Sequence, residues 1–150
     1  MAASRGFDAK AAAAKARGLA PLKTVNLMLP GAVFNVPDLR VVLPEARVPG
    51  RGARTVHPTR PVILVSPTSH LRSGTLLTLL VVPCSASHKG VCPDDFEIPA
   101  NESAFDQPRV VAYVSLVQPM LKSDLGTHAG QLSVEALAGL LAALKRRFAD

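Results

Sequence analysis

The chain has 150 residues, a formal charge of +6, and 48% hydrophobic against 19% charged residues. This is enough for one packed domain, too little for two large ones, and too apolar for global disorder. No apolar stretch reaches the roughly 18 residues of a membrane span, and two cysteines, Cys84 and Cys92, do not make a disulfide framework. The basic balance favours polyanionic partners, nucleic acid first. Sparing cysteine use suits a reducing cytoplasm.

Residues 1–22 stand apart. Ala11 to Ala14, between Lys10 and Lys15, are good helix formers with almost nothing large to bury. A flexible basic tail is expected there, with the domain over 30–150. Its first strand is Ala32 to Val36, stopped by Pro37, and Leu39 to Leu43 reads as a second. A long basic link follows, Pro44 to Thr59, holding Arg47, Arg51, Arg54 and His57. Pro61 to Ser66 is a nearly continuous β-branched apolar run, the pattern of a strand buried on both faces. Residues 67–74 form a polar connection. Thr75 to Val82 is a further buried strand, broken by Pro83, and Cys84 to Asp95 a polar loop. Phe96 to Ile98 and Val110 to Val117 complete the strands. Ser133 then caps a helix with Glu135 in its first turn and Lys145, Arg146 and Arg147 in its last. Leu137, Leu140, Leu141, Leu144 and Phe148 form its apolar stripe. Short strands followed by one amphipathic helix give a β-rich α+β chain, a small bent sheet or barrel capped by a helix.

Several chemistries are absent from the motifs. Of the histidines His57, His70, His88 and His128, none stands in a zinc-protease motif. Cys84, His88 and Cys92 lie four apart, but in a loop without an evident fourth ligand, so no metal is expected. The stretch Pro49 to Arg54 lacks the ending of a nucleotide-binding loop, and there is no nucleophile elbow. Asp94, Asp95 and Glu97 cluster without forming a paired-acid constellation, and Glu97 takes the solvent side of its strand.

Three segments in order carry a resemblance. Thr59-Arg60-Pro61-Val62-Ile63-Leu64-Val65-Ser66-Pro67 resembles the RPxxVLSP strand of MazF/PemK toxins. Val81-Val82-Pro83-Cys84-Ser85, running to Lys89-Gly90 and Phe96-Glu97-Ile98, resembles their VPxTS…KG…FEV segment. Lys122-Ser123-Asp124-Leu125, then Gly130-Gln131-Leu132-Ser133 and the helix, resembles their KSRL…GxLS ending. The resemblance spans about residues 30–148. It implies an SH3-like β-barrel with a C-terminal helix, assembled as a homodimer. It also implies a sequence-specific endoribonuclease that needs no metal or cofactor, acts on single-stranded RNA, and is blocked by a cognate antitoxin. The family's catalytic pair falls on Arg60 and Ser85, with Ser in place of the usual Thr.

A histidine supplies an acid or base in the useful pH range, and His57 and His88 lie near Arg60 and Ser85 in sequence. Arg51, Arg54 and Lys89 are the candidate contacts to the RNA backbone. The chain departs from the family pattern in four places. No acidic residue follows Gly31, the link before Arg60 is long and basic, Gln118-Pro119-Met120-Leu121 differs from the common pattern, and Asp124 stands where Arg is usual. Two other readings share the fold: a CcdB-type poison of DNA gyrase, and a member that binds RNA or antitoxin without turnover.

Overall fold

The structure, a computed structural model, describes residues 27–44, 55–86 and 92–149. The basic tail, Arg51, Arg54, His88 and Lys89 lie outside the described residues.

The strands are β1 (Ala32–Pro37), β2 (Thr59–Leu64), β3 (Thr78–Ser85), β4 (Phe96–Ile98), β5 (Val110–Ala112), β6 (Gln118–Leu121) and β7 (His128–Gln131). A one-turn helix, α1 (Thr68–Leu71), precedes β3, and α2 (Val134–Phe148) ends the domain. All pairings are antiparallel, in the order β4-β5-β3-β2-β1-β7, with β6 also on β3. The sheet curls into a half-barrel of the SH3-like kind, with α2 against it.

The central strands are apolar because both their faces are covered. Val33, Ile63 and Val82 pack with Ala136, Leu140 and Ala143 of α2. Their neighbours Phe34, Val62 and Val81 point the other way and pack with Leu71, Leu79 and Met120. Gly139 lets α2 approach the sheet. A Cβ there would lie 2.7 Å from the Phe96 ring.

Four expected elements need correction. The strand over Leu39 to Leu43 is absent. The backbone instead turns through a 3-10 helix, Asp38–Arg40, closed by Val41 N–H donating to Asp38 O, and leaves Leu39 and Val42 exposed. Pro83 does not break β3, which continues to Ser85. Pro83 O accepts from Tyr113 N, so its missing N–H faces the gap where β3 exchanges β6 for β5 as partner. Cys84 and Ser85 therefore belong to a strand, not to the loop expected from Cys84 onward. The span Val110 to Val117 is not one strand. A 3-10 turn, Val114–Leu116, divides β5 from β6 and lets both pair with β3. The short strands β6 and β7, interrupted by Pro119 and Gly130, carry too little pattern to be read. On α2, Ser133 caps as expected, accepting from Ala136 N at 3.1 Å. Its buried face is Ala136, Leu140 and Ala143, however, while Leu141 and Phe148 are 40% and 73% exposed.

Candidate functional site

Arg60 enters the site as a strand residue. It pairs with Val36 on β1. On the other side, β2 and β3 pair Val62 with Pro83 and Ile63 with Val82. Arg60 lies two residues before the Val62–Pro83 pair on β2 and Ser85 two residues after it on β3, and both line one cavity. The two expected residues thus come together on neighbouring strands, 25 residues apart in sequence.

The Arg60 side chain is buried, and a buried guanidinium needs partners. Its Nε–H donates to Asp38 Oδ1 at 2.7 Å, and Nη1–H donates to the Cys84 carbonyl at 3.1 Å. The second Asp38 oxygen, Oδ2, accepts the backbone N–H of His57 at 2.9 Å. Asp38 itself is 1% exposed. It was missed in the sequence because it follows Pro37 in what reads as an ordinary turn between strands. Nothing in a single sequence marks a carboxylate as buried.

Arg60, Ser85 and His57 line one cavity of about 530 Å³. Thr59 and Pro61 belong to the same wall, and the segment Ser103–Gln107 lines another part of it. A third part comes from Asn35, Thr127 and His128. His128 is half-buried, at a register shift in the β1–β7 ladder, with its ring edge-on to Phe34 at 5.2 Å. Sequence reasoning named His128 but gave it no part, because β7 was not legible. Asn35 carried a signal: it is the one polar residue in an otherwise apolar strand.

The remaining polar groups have other tasks. Asp95 accepts from Cys92 N, Ser115 N and Ser115 Oγ, and so folds its own loop. Glu97, on the solvent side as expected, holds Arg109 through two bonds of 2.9 and 3.0 Å. Asp94 meets Arg147 of α2 at 3.2 Å. Asp124 lies 3.7 Å from Arg40, so the residue standing where the family has Arg faces a basic neighbour. Cys84 and Cys92 are both free thiols. Burial pushes the Cys84 thiol far above its ordinary range, with Arg60 opposing, so it is held neutral and unreactive. Among the described residues no three His, Cys, Asp or Glu side chains gather around a common point. No helix among them is long and apolar enough to cross a membrane.

The Glu102 side chain ties the cavity to α2. It is 7% exposed and accepts from both the backbone N–H and the hydroxyl of Ser133, the α2 cap. The segment Ser103–Gln107 therefore departs from an anchored point.

No protein-family model matches the sequence, and no curated relative does. Solved structures are similar. An endoribonuclease from a mycobacterial species, in complex with its cognate antitoxin, gives a TM-score of 0.55 at 14% identity, over 79% of this chain and 91% of that one. The Mycobacterium tuberculosis toxin MazF-mt6 gives 0.51 at 21% identity, over 60% and 86%. A chain of the MazE–MazF complex from Deinococcus radiodurans gives 0.54 at 14% identity, over 79% and 92%. At these identities the likeness is one of fold, and the fold is that of MazF toxins, as the three motifs led one to expect.

Proposed function

We propose that this chain is the toxin of a toxin–antitoxin pair and that it cuts single-stranded RNA at particular sequences, without a metal. The observation that carries the reading is the meeting of Arg60 and Ser85 on neighbouring strands at one cavity. An aimed guanidinium beside a hydroxyl suits a phosphodiester.

In this reading the nucleophile belongs to the substrate. The 2′-oxygen attacks the adjacent phosphorus and gives up its proton to a base. The bond from phosphorus to the 5′-oxygen breaks, and that oxygen takes up a proton. The products are a 2′,3′-cyclic phosphate, which water can open, and a 5′-OH end. Negative charge grows on the phosphoryl oxygens, where Arg60 supplies charge-assisted hydrogen bonds. Two of its five guanidinium N–H groups are committed to Asp38 and Cys84, and the rest meet no acceptor among the described residues. Ser85 donates to a phosphate oxygen or orients the 2′-OH. His57, which is among the residues lining the cavity, is the candidate acid or base, with His88 the other. Arg51, Arg54 and Lys89 would hold the phosphate backbone by charge.

The partners that go with this reading are a second copy of the chain, and an antitoxin whose acidic segment covers the RNA site. The setting is the cytoplasm. The test is cleavage of a long single-stranded RNA by the purified protein in EDTA, beside R60A and S85A, with the product ends identified. Discrete cuts with 5′-OH ends, lost in both variants, are expected. A folded wild-type protein that leaves RNA intact would sink the reading and make gyrase inhibition the next assay.

A further inference from the structure

Asp38 stands first in the turn after β1, and its side chain is wholly buried. Its two carboxylate oxygens serve different parts of the site. Oδ1 takes the Arg60 Nε–H at 2.7 Å, and Oδ2 takes the His57 backbone N–H at 2.9 Å. The Asp38 backbone joins the same corner, with its N–H donating to Pro58 O at 3.4 Å. One carboxylate thus ties the end of β1 to the arginine of β2 and to the segment that brings His57 to the cavity.

Stability alone does not account for this arrangement. Desolvating two ions costs several kcal/mol, and apolar residues of similar volume in place of a buried ion pair are often as stable or more so. What the pair supplies is direction. With Nε held by Asp38 and Nη1 by Cys84 O, the guanidinium is fixed at two points in its plane. The unengaged N–H groups then point in set directions within that plane.

We infer that Asp38 is a positioning residue for RNA cleavage. It fixes the orientation of Arg60 and tethers the His57 segment, so that both meet the scissile phosphate already in place. This rests on the reading that Arg60 acts on the phosphate. A misplacement of about 1 Å at such a group is worth roughly a hundredfold in rate. The loss falls on turnover rather than on RNA affinity, because the interaction matures only as charge develops.

The experiment measures kcat and KM per folded molecule on an RNA oligonucleotide with one mapped cut, for wild type, R60A, D38N, D38E and D38N/R60A. Both single Asp38 variants are expected to lose roughly a hundredfold in kcat, with KM changed less than about threefold. D38N added to R60A is expected to cost less than D38N alone, since the part of its effect that passes through the arginine is already gone. A carboxylate with only a structural part would leave kcat per folded molecule intact in the single variants. D38E keeps a charge beside Arg60, so it reports even where D38N fails to fold. Wild-type kcat in folded D38E, with R60A inactive, overturns the inference alone. Wild-type cleavage by R60A removes the reading beneath it and the inference with it.

Discussion

Two cations are buried among the described residues, and they differ in what surrounds them. Arg60 is 7% exposed and Lys122 2%. Arg60 faces a carboxylate and one carbonyl, and it lines the cavity. Lys122 faces two carbonyls, of His70 at 2.7 Å and Ser73 at 2.9 Å, with no carboxylate among its described partners. It ties the end of β6 to α1 and is not among the cavity residues. Both belong to segments that resemble the same toxin family. A motif match therefore does not separate a residue proposed to work on a substrate from one that closes a corner of the fold. The partners do. A carboxylate at one edge of a guanidinium leaves donors facing outward, whereas an ammonium set between carbonyls has its donors turned inward.

The largest expected effects come from breaking the arginine side of the comparison. R60A should reduce RNA cleavage by roughly 100- to 1,000-fold, the usual range for removing a donor to a developing oxyanion. It should also cost stability, up to about 3–5 kcal/mol, because Asp38 loses its cation in the interior while keeping the His57 backbone N–H. D38N/R60A should recover much of that stability in a denaturant titration while staying inactive. S85A comes next: a loss of about 10- to 100-fold in cleavage, with a midpoint of unfolding near wild type, since Ser85 is half-buried at a strand end. Full activity in folded S85A would leave Arg60 without its proposed companion. K122M should invert the pattern. Cleavage per folded molecule should be unchanged, and stability should fall by about 2 kcal/mol as the carbonyls of His70 and Ser73 lose their donor. A K122M protein that folds normally but cuts RNA poorly would place Lys122 in the chemistry and erase the contrast.

These outcomes bear on what a single sequence discloses. The double-sided burial of β2 and β3 was legible, because runs such as Val62-Ile63-Leu64 carry no polar break. The α2 cap at Ser133 was legible from residue type alone. The Arg60–Ser85 meeting was legible only through the resemblance, since register between strands is not written in either one. Asp38 and Lys122 were invisible as buried charges. Each lies beside a 3-10 turn or within one, and a charged residue in a turn looks the same whether it faces water or the interior. Pro83 was misread for a related reason. A proline ends a strand only where its N–H would have been paired, and here that position is a gap between two partners.

The smallest effect is in the pH dependence of stability, and it bears on why Lys122 can be buried at all. Burial lowers its pKa from the ordinary 10.5. The unfolded chain therefore keeps a proton at this site to higher pH than the folded one. Below the folded pKa both states are protonated, the burial penalty stands in full, and the site contributes no slope. As pH rises toward 10.5, the folded state releases its proton first. The unfolded state then binds more protons, and a further rise in pH favours the fold. K122M lacks this contribution, while the other titrating groups cancel in the difference between the two proteins. The gap in melting temperature between wild type and K122M should therefore widen in favour of wild type as pH rises toward 10.5. A gap that narrows would mean that the two carbonyls favour the charged ammonium by more than burial disfavours it. Lys122 would then be stabilised as a cation inside the fold without a carboxylate, and the distinction from Arg60 would rest on geometry alone.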